Sequence, residues 1–119
     1  MLDKVLEFHK AFNLAVDEPL SEGLLRLRMK LIEEEYNEVR DELSRESLDL
    51  ERTTAELADL MYVVLGTAVS LGLPIIEVFN EIHRANMSKL GSDGKPIYRE
   101  DGKVLKGPNF KPADLRKFF

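Results

Sequence analysis

LLRLRMKLIEEEYNEVRDEL, Leu24–Leu43, decides the fold. Leu25, Met29, Ile32, Tyr36, Val39 and Leu43 recur in steps of four and three. That spacing predicts a long amphipathic helix laying one apolar seam into a helical bundle. At about 100° per residue, Leu24, Leu27 and Leu31 make a second apolar stripe beside the seam. Continued toward the C-terminus, the second stripe becomes Glu35, Glu38 and Glu42. A stripe that begins as leucine and ends as carboxylate is either a solvated helix end or a site for something positive. Glu33 points to the other flank of the seam, and Glu34 points nearly opposite it, one turn from Glu38.

Three further helices extend outward from this one. The first covers about Leu2 to Leu14, with Asp3 as N-cap candidate and Val5, Phe8, His9 and Phe12 near one face. The long helix spans about Glu22 to Ser44, with a start at Ser21. The third runs from about Leu50 to Leu71, closed by Gly72 and Pro74. The fourth runs from about Pro74 to Leu90, closed by Gly91. In KPIYREDGKVLKG, Asp101-Gly102 favours a two-residue hairpin turn with both central residues at positive φ. PNFKPADLRKFF then predicts a proline break and a short terminal helix. The expected fold is all-α: a four-helix bundle with a small C-terminal hairpin and an irregular tail. It forms a single domain over residues 1–119, with a helical body over about 1–90 and a basic tail over about 91–119.

Composition narrows the function. A chain of 119 residues, 44% hydrophobic and 33% charged, suits one soluble domain with one core. It contains no cysteine, so disulfides and thiolate metal sites are excluded. No apolar run reads as long enough to span a membrane, and MLDKVLEFHK lacks a signal-peptide core, which fits a cytoplasmic protein. The net charge of -5 hides an asymmetry: residues 1–87 carry 9 basic and 18 acidic side chains, residues 88–119 carry 8 and 4. An acidic body argues against nucleic-acid binding, which needs a dominant basic footprint. A basic tail beside an acidic body suits a ligand bearing both phosphates and metal ions.

The third helix sharpens the question about the acids. Between Ala55 and Ile76 its only charged residues are Glu56 and Asp59, and a helix this apolar all round should be largely buried. Two acids three apart share a face. Val63, Gly66 and Ser70 continue that face, small enough to admit a neighbour or a ligand. Glu35/Glu38 and Glu56/Asp59 on antiparallel helices would bring four carboxylates together. Two like charges ~4 Å apart repel by roughly 1 kcal/mol in water and several times that at intermediate dielectric. Such a cluster raises its own pKa values or recruits cations, and all-oxygen ligands select hard ions such as Mg²⁺ or Mn²⁺. The competing reading is a structural ion-pair network using Arg26, Arg28, Arg40, Arg52 or Arg84. For Glu33, Glu34 and Glu42 taken singly, a solvated face is the better reading. A di-iron bundle would need Glu-x-x-His on its helices, and neither His9 nor His83 sits three after a glutamate.

EEYNE (Glu34, Glu35, Glu38) followed by ELAD (Glu56–Asp59) resembles the all-α nucleoside triphosphate pyrophosphohydrolases, which include MazG-like and phosphoribosyl-ATP pyrophosphohydrolase-like proteins. The hallmark there is Glu-Glu-x-x-Glu, a spacer, then Glu-x-x-Asp on the next helix. The helix layout matches over about residues 1–90, and the tail NMSKLGSDGKPIYREDGKVLKGPNF is similar to that of small members. The resemblance implies a Mg²⁺-dependent hydrolase, with Mn²⁺ as the alternative ion, that cuts a nucleotide between its α and β phosphates. It makes Glu35, Glu38, Glu56 and Asp59 metal ligands, and Glu34 the residue that orients or deprotonates the attacking water. Asn86 and Lys89 resemble an Asn-x-x-Lys of relatives and would contact phosphate, as would Lys95, Lys103 and Lys106 from the hairpin. For each lysine singly, a helix cap or a solvated hairpin is an equal or better reading. Phe8, His9 and Phe12 offer a base pocket, or else core.

The two apolar stripes exceed what one chain of this size covers, which predicts a homodimer or dimer of dimers, as the resemblance also does. Two other classes of function stay open: a non-catalytic helical interaction module that spends its acids on ion pairs, and a nucleotide-binding regulator without turnover.

Overall fold

The computed structural model describes residues 1–119 and contains four α-helices and one terminal 3₁₀ turn. They are α1 (Leu2–Ala11), α2 (Glu22–Leu43), α3 (Leu50–Leu71) and α4 (Ile75–Met87), with the 3₁₀ turn at Arg116–Phe118. The all-α class with four helices is as expected from sequence. The chain divides into two compact units, Met1–Leu73 and Pro74–Phe119.

In the first unit, local chemistry sets the helix ends. Ser21 Oγ accepts from Leu24 N at 3.1 Å, and an Asp49 carboxylate oxygen accepts from Arg52 N at 3.0 Å, capping α2 and α3. Gly72 closes α3 in the left-handed conformation, φ 67°. α1 ends earlier than its apolar pattern suggests. Asn13 takes φ 55°, Leu14 N bonds His9 O at 2.8 Å, and His9 Nδ1 lies 2.9 Å from Ala15 O. Asp3 is not a cap: its carboxylate takes the N-terminal ammonium at 3.0 Å, and α1 has no side-chain cap.

α2 and α3 form an antiparallel hairpin joined by residues 44–49, and α1 packs on α3. The small-residue face of α3 is what lets them approach. A Cβ on Gly66 would sit 2.6 Å from Arg28 Nη2 and 2.8 Å from His9 Nε2, so only glycine leaves room for both side chains. His9 and Arg28 are accordingly buried. Arg28 Nε donates to Thr67 Oγ1 at 3.1 Å and Nη2 to Val63 O at 3.0 Å, which staples α2 to α3.

Two expectations about packing are corrected. α2 meets α3 through its second stripe, where Leu24, Leu31 and Glu35 are half-buried and Glu42 is buried. The main seam faces outward: Leu25, Met29, Tyr36 and Leu43 are all exposed, and only Val39 is buried. α3 is not buried all round either, since Leu57, Met61, Tyr62 and Val64 are exposed. By length and composition alone α3 is also apolar enough to cross a membrane, contrary to the sequence reading. A helix that packs on two others, as α3 does, meets the same criterion.

The second unit folds its tail back on α4. Glu81 is buried and accepts from Arg84 Nη2 at 2.7 Å, Arg84 Nε at 3.0 Å and Asp114 N at 3.2 Å. Arg84 Nη2 also donates to Pro112 O at 3.1 Å, and Lys111 N donates to Ser88 Oγ at 3.0 Å. α4 stops at Met87, short of the expected Leu90, because residues 88–90 bond back in turns. The hairpin is present as a single bridge, Tyr98 to Val104. Its loop differs from expectation: Gly102 N bonds Arg99 O at 2.9 Å, and only Gly102 takes positive φ, 87°. Arg99 N to Lys103 O at 2.8 Å then makes a three-residue loop, with the glycine at the bulge.

Candidate metal centre

The α2–α3 hairpin sets carboxylates from both helices face to face. Glu35 and Glu38 lie one turn apart on α2, and Glu56 lies opposite on α3. Each offers an oxygen, and these oxygens lie within 4.8 Å of one another. Glu35 and Glu56 are half-buried and Glu38 is exposed. Glu35 Oε2 and Glu56 Oε2 are shut off from solvent and have no hydrogen-bond partner. Orphaned anionic oxygens are expensive in a folded chain unless something positive meets them.

The electrostatics agree with the geometry. Glu56 is pushed up from 4.5 to about 7, first by the hydrogen bond it shares with Glu38, then by desolvation and the charges of Glu38, Asp59 and Glu35. Glu35 is raised too, by desolvation first and then by Glu38, Asp59 and Glu34. Without a cation the cluster lessens its own repulsion by holding protons. A divalent ion would replace those protons, and a donor set of carboxylate oxygens alone suits a hard ion. The residues present therefore fit such an ion.

Asp59 adds its charge to the cluster but is exposed and stands outside the three converging groups. Glu34 is exposed and acts on Glu35 as a neighbouring charge. None of the arginines that an ion-pair network would recruit is paired with these acids. Arg52 meets Glu42 at 3.0 Å, Arg40 meets Asp41 at 3.4 Å, Arg84 meets Glu81 at 2.7 Å, and Arg28 bonds neutral oxygens. Arg26 enters no salt bridge. Glu42, read from sequence as solvated, is buried and held by Arg52 and by Arg45 at 3.5 Å. It ends the acidic stripe as a structural pair.

A recess of about 410 Å³ opens on α1 and α3, lined by Lys4, Glu7, Phe8, Ala11, Phe12 and Tyr62. The Phe8 ring lies 4.6 Å from Phe12 and 5.6 Å edge-on from Tyr62, centroid to centroid. Of the two readings of His9, pocket or core, the second holds: it is buried and does not line the recess. Tyr62 was missed. Its signal is that it follows Asp59 by three residues, one turn along α3 from the acids.

The remaining candidates lie in the second unit. Asn86 is in the last turn of α4, and Lys89, just beyond it, accepts from Gly107 N through its carbonyl at 2.7 Å. Lys95, Lys103 and Lys106 are exposed, and Lys106 Nζ stands 4.9 Å over the Phe110 ring.

An antiparallel helix pair presenting converging carboxylates defines an all-α protein with a candidate cation site between two helices. The chain belongs to the phosphoribosyl-ATP pyrophosphohydrolase family, whose model matches residues 5–86 and so takes in most of α1, both acidic motifs and nearly all of α4. Its kind is accordingly that of a nucleotide pyrophosphohydrolase. A solved structure of a candidate NTP pyrophosphohydrolase from Exiguobacterium sp. 255-15 is similar, with 25% identity over 94% of this chain and 88% of that one, at a TM-score of 0.48. No curated protein matches the chain.

Proposed function

We propose that the protein hydrolyses a nucleotide between its α and β phosphates, with Mg²⁺ as the working ion and Mn²⁺ as a substitute, releasing a monophosphate and pyrophosphate. The observation that carries this reading is the convergence of Glu35, Glu38 and Glu56, two of them with buried oxygens that nothing in the chain satisfies. Those three would hold the ion, and Asp59 completes the negative field around it. When bound, the ion neutralises phosphate charge and lowers the pKa of a coordinated water. Glu34, exposed and a neighbouring charge to Glu35, would orient the attacking water or take its proton. Phe8, Phe12 and Tyr62 offer aromatic faces on which a base can stack, a contact worth about 1–3 kcal/mol per base. A reaction on free nucleotides belongs in the cytoplasm, where we place the protein.

The test is pyrophosphate release from a panel of nucleotides, phosphoribosyl-ATP and dUTP included, with Mg²⁺ and then Mn²⁺. Release from at least one member, lost in Glu35→Gln, supports the reading. No release across the panel at high enzyme concentration overturns it. Nucleotide and metal binding without release would instead make the protein a regulator.

A further inference from the structure

Besides its aromatic rings, the recess on α1 and α3 is lined by two charged side chains, Lys4 and Glu7. They stand three apart on α1 and so share one face of that helix. Neither forms an ion pair, with the other or with any residue of the chain. A carboxylate and an ammonium that border one recess and leave each other unpaired are both free to meet a ligand. The recess holds about 410 Å³, within the usual size of a small-molecule site. Its rings are not spent on the core: Phe12 is 65% exposed, and Phe8 and Tyr62 are exposed too. Tyr62 lies six residues past Glu56, about 9 Å along the axis of α3, a gap that a ribose and a phosphate bridge.

The two charges decide between bases. A carboxylate only accepts, through two oxygens that can take two parallel N–H groups, and an ammonium only donates. The edge that satisfies both carries two adjacent N–H donors beside an acceptor. Guanine has that edge: N1–H and the N2 amine side by side, with O6 next to N1. Adenine and cytosine offer one amino group beside a bare ring nitrogen, whose lone pair faces the second carboxylate oxygen. Uracil and thymine offer one N–H between two carbonyls, which repel that oxygen. Hypoxanthine keeps N1–H and O6 but lacks the amine.

We propose that Glu7 and Lys4 select a guanine nucleotide, Glu7 accepting from N1–H and the N2 amine and Lys4 donating to O6, with the base stacked on the rings of the recess. The proposal rests on the nucleotide reading given above and names the base that reading leaves open.

Calorimetric binding of nucleoside monophosphates to the full chain, with Mg²⁺ present, tests it without turnover. GMP should bind about tenfold or more tightly than IMP, which differs only by the N2 amine. It should also bind more tightly than AMP, CMP or UMP. Glu7→Gln keeps one acceptor oxygen and sets an amide NH₂ in place of the other. GMP should then weaken by about tenfold or more, and its advantage over IMP should vanish. Lys4→Met removes the donor to O6, which GMP and IMP share, so both should weaken by a similar factor with their ratio kept. Both residues are exposed, so helical circular dichroism should be unchanged. GMP no tighter than IMP, another base bound best, no monophosphate bound at millimolar concentration, or a Glu7→Gln chain that keeps the GMP preference would each overturn the proposal. Pyrophosphate release separates it from the reaction. Release from other nucleotides with no preference for guanine overturns the base selection alone. A guanine preference in binding with no release from any nucleotide supports the base selection and overturns the reaction.

Discussion

Divalent-ion affinity should fall about tenfold between pH 8 and pH 6, because Glu56 must lose a proton to become a ligand. Its carboxyl is held at about 7 in the metal-free protein. A group at that value is protonated to about nine-tenths at pH 6 and about one-tenth at pH 8. Apparent affinity scales with the ionised fraction, which gives the tenfold ratio. Glu35 is raised as well, so its proton adds to the effect in the same direction. The assay is titration calorimetry with Mn²⁺ in pairs of buffers of different ionisation enthalpy, which counts protons directly. About one proton or more should leave per ion bound at pH 6, and roughly a tenth as many from Glu56 at pH 8. Glu56→Gln should lose both the tight binding and its pH dependence. Affinity that is flat from pH 6 to 8, with no proton released, would refute the reasoning, because it would mean that the ion does not displace the shared proton.

Other expectations follow from the same geometry. A carboxyl raised in the fold binds its proton more tightly than in the unfolded chain between about 4.5 and 7. The metal-free protein should therefore lose thermal stability as pH rises through that window, and regain it on adding Mn²⁺. Asp59→Asn should raise the metal-free melting temperature at pH 8 by removing repulsion, while pyrophosphate release disappears; a lower melting temperature would instead indicate a partner for Asp59 that stabilises the fold. Gly66→Ala forces a methyl against Arg28 and His9 and should cost about 1–3 kcal/mol in urea unfolding, as overpacking does. Glu81 is held down at about 2 by Arg84, the Asp114 amide and Lys117. Its contribution is complete above about 4.5 and is lost as pH falls toward 2, so acid should free the C-terminal segment from α4, read by protease cleavage near residues 111–119.

Much of the fold was legible because it is written locally. Ser21 and Gly72 mark the start of α2 and the end of α3 to within a residue. The acidic stripe was legible because a helix carries Glu35 and Glu38 on one face whatever surrounds it. What sequence could not supply was which side of α2 meets α3. Both stripes are apolar, and the choice is made by Gly66, which admits Arg28 and His9 and so draws the second stripe inward. Glu42 went astray for the same reason: its burial depends on Arg52 reaching across from the next helix, a tertiary fact. The hairpin turn failed at the level of one dihedral, since Asp-Gly fits both a two-residue loop and the longer loop that forms. Tyr62 escaped notice because an aromatic in an apolar helix reads as core until a neighbouring helix brings Phe8 against it.

The central claim is that Glu35, Glu38 and Glu56 together hold one divalent ion. Crystals soaked in Mn²⁺, with diffraction recorded at the manganese edge, test it most directly. An anomalous peak within coordination distance of an oxygen from each of the three is the predicted result. A manganese-saturated crystal with no peak there, or with these carboxylates turned to other partners, would contradict it.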